Sequence, residues 1–214
     1  MKAFVFYNFL YANNAAVIEK QAQQFPPEML SAINRYQAAA DRQSRLLSRL
    51  LLMRAMDRLC PGQEELIHTI ARSTDNKPFF KNSSYQFSST HSGELCAVVI
   101  TESIPVGIDA EFIKPVNLSM MQDWLHENEI KQVNSSLNST AAFYKIWTRK
   151  EAIIKAAGTR LTETLKDIDT SRLPVPFKQA QYYCYPVHLH PDYIVHIAAP
   201  VPVAAIETTA LIFS

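Results

Sequence analysis

Glycine is scarce in this chain, with four in 214 residues. P-loop and dinucleotide-binding turns need glycines clustered within a few positions, so that the backbone can turn tightly and approach phosphate. No such cluster occurs, and both classes are excluded. Cysteine is scarce too: Cys60, Cys96 and Cys184 are far apart and odd in number. They form no CxxC pair and no zinc pattern, and they read as buried, reduced thiols of a cytosolic protein. No apolar run is long enough to cross a bilayer. LLSRLLLM is interrupted by Arg49 and followed by Arg54. The formal net charge is only +1, which leaves no electrostatic surplus for nucleic acid or an anionic membrane. MKAFVFYNFLYA is interrupted by Asn8 and followed by no small-x-small cleavage site, so it reads as a first strand rather than a leader. The expected location is the cytoplasm. Internal repeats and low-complexity segments are lacking as well.

What is present is an ordinary globular composition, 48% hydrophobic and 19% charged, in a mixed α/β (α+β) pattern. Residues 2–10 predict a strand. Helices are expected near Ala15–Gln24 and, after Pro26-Pro27, within 28–59 in two pieces, ended by Cys60-Pro61-Gly62. In the second piece Arg42, Arg45 and Arg49 share one side, apart from the leucines. Tyr85–Ser89 and Leu95–Thr101 predict strands joined by a tight THSG turn. PVGIDAEF, Pro105 to Phe112, predicts another. A helical stretch around Met120–Val133, a polar loop NSSLNST and a further helix follow. The tail carries strand-like runs, YIVHIAA and TTALIF.

Three segments carry chemistry. In GIDAE, Asp109 and Glu111 are two apart on a strand and so share a face. Paired carboxylates among apolar neighbours resist ionisation, and a divalent cation with a preference for hard oxygen ligands, such as magnesium, resolves the conflict. In WTRKEAIIKAAG, Trp147 to Gly158, Glu151 lies inside the apolar arc of a helix, with Lys155 one turn on. A third carboxylate on the same metal accounts for that placement, with Lys155 left to face phosphate oxygens. Lys150 also falls on the inward arc and is expected to approach the site. In SSTHSG, Ser88 to Gly93, hydroxyls and a histidine can present donors to phosphate, and Lys77 adds a charge upstream. Adjacent Thr90, His91 and Ser92 do not suit a nucleophilic triad.

GIDAE followed by WTRKEAIIKAAG resembles the paired signature motifs of the 4′-phosphopantetheinyl transferases. Lys77-Pro78 and FSSTHSG resemble the upstream motif of the larger, Sfp-type branch, and the order from residue 77 to 158 is that of the family. The resemblance implies two similar halves, each a small sheet packed by helices, with the active site in the cleft between them. Residues 1–104 would form the coenzyme A-binding half and 105–214 the half with the magnesium and catalytic motifs. The implied reaction moves the phosphopantetheine arm of coenzyme A onto a serine of an apo acyl- or peptidyl-carrier protein and releases adenosine 3′,5′-bisphosphate. Asp109, Glu111 and Glu151 would hold magnesium. Lys155 would contact the phosphates and aid the leaving group, and Glu151 would take the serine proton. Lys77, Pro78, Thr90 and His91 would hold the adenine nucleotide, with His91 near its 3′-phosphate. A monomer is implied, with no nucleic acid or membrane partner. Carriers of fatty-acid, polyketide and nonribosomal-peptide biosynthesis all fit.

The sequence departs from the family pattern in three places. Thr90 stands where serine is usual, and keeps the hydroxyl. Asn76 stands where a glycine often precedes Lys-Pro, a change that bears on that loop. Met29 and Ala32 stand where relatives carry lysines, and Ser44 where they carry an arginine. Arg45 is the preferred replacement, with Arg42 the other choice. VHLH could align His188 and His190 as metal ligands, but a third ligand is missing. Trp124 and Trp147 read as core anchors, and Lys145 and Arg149 as candidates for docking an acidic carrier. Two other functions compete: a magnesium nuclease, which leaves Lys77-Pro78 and THSG unexplained, and a non-catalytic module that holds coenzyme A or a carrier.

Overall fold

The computed structural model describes residues 1–159 and 163–213. The first sheet comprises β1 (Lys2–Phe9), β4 (Tyr85–Ser92), β5 (Leu95–Glu102) and β10 (Ala205–Ala210), in the order β10-β1-β5-β4. The last of these comes from the far end of the chain and pairs parallel to β1. The second sheet is antiparallel throughout: β6 (Gly107–Phe112), β9 (Tyr193–Ala199), β8 (Ala180–Pro186) and β7 (Val175–Phe177), in the order β6-β9-β8-β7. A separate hairpin pairs β2 (Ile70–Arg72) with β3 (Pro78–Phe80).

Strand alternation explains the layering. On β5, Cys96, Val98 and Ile100 face helices α1 (Ala15–Ala22), α2 (Pro27–Asn34) and α3 (Ala39–Leu59). Leu95, Ala97 and Val99 face the other way, onto Ile108, Ala110, Val195 and Ile197 of the second sheet. With both faces covered, LCAVVIT has no polar alternation. The far face of the second sheet is covered by α6 (Ser139–Ala157), through Ala152, Ile153 and Ala156 against Cys184 and Ala198. The result is four layers, helix–sheet–sheet–helix. A smaller cluster of Leu125, Val133, Phe143 and Ile146 joins α6 to α5 (Glu127–Ser135).

Helix α6 is fixed at both ends and against the sheet. Asn138 accepts the Ala141 N–H at 2.9 Å, and Gly158 closes the other end at φ +68°, a conformation that costs glycine little. At Gly107 an added Cβ would lie 2.0 Å from the Ala152 carbonyl oxygen. Only a residue without a side chain lets the helix backbone rest on β6, and this contact places Glu151 and Lys155 beside Asp109.

Some expectations are corrected. Thr90, His91 and Ser92 are not a turn. They continue β4, because His91 pairs with Cys96 and Ser92 with Leu95. The helical stretch around 120–133 is broken into α4 (Leu118–Met121), a 3-10 turn (Gln122–Trp124) and α5. The break lies at His126, whose ring accepts the Asn128 N–H while Glu129 accepts the His126 N–H, so a new helix starts there. Trp124 is 38% exposed and no core anchor, whereas Trp147 stacks on Phe143.

Candidate active site

Strands β4 and β6 are edge strands of different sheets, and hydroxyls connect them. Ser88, Thr90 and Ser92 project from alternate positions of β4. They accept the N–H groups of Ile108, Ala110 and Phe112 at 3.3, 3.2 and 3.0 Å. The edge N–H groups of Ile108 and Ala110, which would otherwise be buried without partners, are thereby satisfied. The same hydroxyls orient the carboxylates. Thr90 donates to Asp109 Oδ1 at 3.2 Å and Ser92 donates to Glu111 Oε2 at 2.8 Å. Asp109 and Glu111 share the face that looks toward α6, as their spacing predicts.

From α6, Lys155 Nζ lies 2.7 Å from Asp109 Oδ1 and 3.5 Å from the Thr90 hydroxyl. The other oxygen of Asp109 is buried without a hydrogen-bond partner. Burial raises the pKa of Asp109, against the opposing pull of Lys155 and Thr90. Burial and the charge of Asp109 raise that of Glu111. Glu151 is pushed up to about 7 by burial and by the Asp109 and Glu111 charges, with Lys155 opposing. Three carboxylates therefore crowd one another electrostatically. Among the described residues, no three His, Cys, Asp or Glu side chains are closed up into a ready metal cage. Lys155 is the cation that neutralises Asp109.

Strand alternation sends the other half of the motif elsewhere. Ser89 and His91 face a cavity of about 420 Å³, together with Arg45, Arg49 and Ser48 of α3 and Arg72 of β2. Burial and the neighbouring charges of Arg45 and Lys155 lower the pKa of His91. Arg45 lies over the Tyr36 ring at 3.7 Å, and its Nε is buried without a partner. Arg42 is used differently: it donates to the Tyr36 and Gln37 carbonyls, both at 2.7 Å, and closes the α2–α3 link. Met29 and Ala32 form part of the apolar wall of the same cavity.

A second cavity, of about 700 Å³, is lined by Lys77, Pro78, Ser88, Ser89, Lys155 and Gly158 among others. Lys77 Nζ donates to the Ala156 carbonyl at 2.9 Å, capping the last turn of α6. Burial pushes its pKa down to about 8. Asn76, in place of the usual glycine, has φ +69°. Asparagine tolerates this left-handed conformation better than most residues, so the turn before Lys77-Pro78 keeps a form that suits glycine. The structure thus groups the sequence candidates in three places. Asp109, Glu111, Glu151, Lys155 and Thr90 come together; Lys77 and Pro78 share a cavity with Lys155; Arg45 and His91 lie in the arginine-lined one.

Lys150 does not approach this site. It is fully buried, 2.6 Å from Glu129, and it donates to the Trp124 and Leu165 carbonyls. Its place on the inward arc is real, but that part of the arc faces α5 and not β6. His188 and His190 belong to no metal cluster among the described residues; His190 packs on Phe9 and Tyr193. Lys145 and Arg149 lie near His196, the cross-strand partner of Asp109. His196 contacts the Thr148 hydroxyl at 2.8 Å, and burial followed by those two charges lowers its pKa to about 3. Sequence reasoning took the hydroxyls of Ser88 and Ser92 for phosphate donors, whereas they bond β6 and Glu111, and it passed over His196. Alternate hydroxyls on β4 and a lone histidine inside the apolar run YIVHIAA were the available signals.

A two-sheet α/β fold with a carboxylate–lysine centre at the junction of its sheets defines the class. Comparison with known proteins gives the family. Residues 105–205 match the profile of the 4′-phosphopantetheinyl transferase superfamily, and residues 14–103 match that of the 4′-phosphopantetheinyl transferase N-terminal region. The chain belongs to this superfamily. It is 26% identical over 202 residues to the Bacillus pumilus 4′-phosphopantetheinyl transferase psf-1, covering 87% of this chain and 85% of that protein. It is 30% identical over 154 residues to the transferase gsp of Aneurinibacillus migulanus, covering 71% and 59%. It is 33% identical over 122 residues to AcpT of Salmonella typhi, covering 55% and 59%. The match therefore spans less than two thirds of the last two relatives.

Proposed function

We propose that this protein transfers 4′-phosphopantetheine from coenzyme A to a serine hydroxyl of an apo acyl- or peptidyl-carrier protein. One observation carries the reading: two motifs distant in sequence converge, with Lys155 of α6 at 2.7 Å from Asp109 of β6. In the transfer, the serine oxygen bonds to the pantetheine-side phosphorus. The bond from that phosphorus to the bridging pyrophosphate oxygen breaks, and adenosine 3′,5′-bisphosphate leaves. Displacement at phosphorus needs alignment and charge neutralisation more than covalent help.

Magnesium fits the donor set. Three carboxylates supply hard oxygen ligands, and one buried Asp109 oxygen has no partner. Asp109, Glu111 and Glu151 would hold the ion, which when bound neutralises the carboxylates and the pyrophosphate together. Thr90 and Ser92 keep the first two carboxylates in place. Lys155 balances charge on the departing phosphate. Glu151 takes the serine proton directly or through water. Lys77, Pro78 and His91 line the spaces offered to the adenine nucleotide. No helix among the described residues is long and apolar enough to cross a membrane, and we expect a cytoplasmic monomer.

The test is incubation with magnesium, coenzyme A and a panel of apo carrier proteins, read by intact mass. A carrier that gains one phosphopantetheine supports the reading. No gain on any carrier overturns it, and coenzyme A binding without transfer favours a non-catalytic module.

A further inference from the structure

Two contacts of different kinds hold helix α6 on the second sheet beside the carboxylates. One is the bare backbone of Gly107 beneath Ala152. The other is polar. His196 of β9 stands opposite Asp109 of β6 in an antiparallel pair, so both side chains leave the sheet on the face that α6 covers. Ile194 and Ala198, two residues to either side, pack against residues of α6 on that face. His196 and Thr148 are both buried, and apolar packing alone gives no reason for an imidazole there.

The protons fix the direction of the bond between them. The Thr148 hydroxyl lies 2.8 Å from the Tyr144 carbonyl oxygen, which can only accept, so the hydroxyl proton goes there. The hydroxyl oxygen then accepts from the ring Nδ1 of His196, also at 2.8 Å. The chain of bonds runs from β9 through a side chain of α6 into the backbone of α6, and each link strengthens the next. Apolar contact at Gly107 sets how closely the helix approaches, but it is non-directional and resists sliding only weakly. A hydrogen bond is directional and resists both sliding and rolling. Thr148 shares a stripe of α6 with Ala152 and Lys155, at i+4 and i+7, and Glu151 stands at i+3. Slippage by one residue would carry that stripe about 1.5 Å along the axis.

We propose that His196 and Thr148 are positioning residues: their hydrogen bond sets the register of α6 on the second sheet, and through it the places of Glu151 and Lys155 relative to Asp109. What the placed groups do rests on the proposed transfer; the bond itself does not.

Thr148→Val removes the hydroxyl and keeps the shape. Its kcat in transfer to a carrier should fall about tenfold or more, the scale of a misplacement of about 1 Å, while the KM for coenzyme A changes by less than about twofold. Thr148→Ser, which restores the hydroxyl, should bring kcat back to within about twofold of the wild-type value. His196→Val leaves the Thr148 hydroxyl on the Tyr144 carbonyl and should match Thr148→Val. It keeps the test open if Thr148→Val, with its stranded imidazole N–H, does not fold. Crystal structures of the full chain give a second readout: the 2.7 Å contact of Lys155 with Asp109 should be broken in both valine variants and kept in Thr148→Ser. A lower melting temperature with unchanged kcat overturns the inference, as does an equal loss of kcat in Thr148→Val and Thr148→Ser. If the wild-type protein modifies no carrier, the proposed transfer falls and the crystal structures alone decide: an intact Lys155–Asp109 contact in both valine variants would sink the positioning role.

Discussion

Helix α6 carries two lysine–carboxylate pairs of nearly equal length, Lys150–Glu129 at 2.6 Å and Lys155–Asp109 at 2.7 Å. They differ in what else touches them. Both Glu129 oxygens are taken up, one by Lys150 and the His126 N–H, the other by the Thr170 N–H and hydroxyl. Lys150 has two carbonyls besides. Both side chains are 0% exposed. Lys155 is 30% exposed, and its partner keeps one oxygen buried and unpaired. A saturated pair can only hold structure. An incomplete pair beside two more carboxylates is stable enough to form, yet leaves hydrogen-bonding capacity for a ligand.

Breaking the saturated pair should have the largest effect. Lys150→Met strands a buried carboxylate and should cost about 3–5 kcal/mol of stability, measured by denaturant unfolding, while the folded fraction keeps its activity. An unchanged midpoint with lost transfer would reverse the assignment of the two pairs. Asp109→Ala should do the opposite, lowering transfer by roughly a hundredfold to a thousandfold without lowering the melting temperature. Lys155→Ala should reduce turnover by about tenfold or more and change the KM for coenzyme A less. An equal rise in KM would assign Lys155 to ground-state binding.

The comparison is sharpened by pH. Glu151 is raised from the ordinary 4.5 to about 7. A carboxyl raised on folding contributes its stability in full below the unfolded value, and the contribution is lost as pH rises through the folded one. In EDTA the melting temperature should therefore fall between about pH 4.5 and pH 7, and magnesium should restore more of it at pH 7.5 than at pH 5.5. A magnesium shift that is the same at both pH values would argue against Glu151 as a ligand. The smallest change should come from Thr90→Ser, which keeps the hydroxyl and its three contacts and should alter turnover less than about twofold.

Much of the site was legible without a structure. The two-residue spacing of Asp109 and Glu111 fixes their common face whatever the fold, and the four-residue spacing of Glu151 and Lys155 makes them neighbours on any helix. The position of Glu151 in an apolar arc is one ground on which a metal is proposed. Lys150 shows where such reasoning stops. A helical wheel reports that a side chain faces inward but not which element it meets, and the inward arc of α6 meets β6 along one edge and α5 along the other. The THSG segment misled for a similar reason: its small polar residues suit a turn, yet pairing with β5 extends the strand through Ser92.

The sequence by itself determined β1, β4, β5, β6 and β9, most of the helices and which charged side chains share a face, because alternation and helical period act over a few residues. Tertiary structure decided that β4 and β6 meet edge to edge, that the hydroxyls of one motif serve two different places, and that Arg72 reaches Arg45 and Arg49 across a cavity. These contacts join segments far apart in the chain. They follow from how layers dock, down to the missing side chain of Gly107 that lets α6 settle on β6.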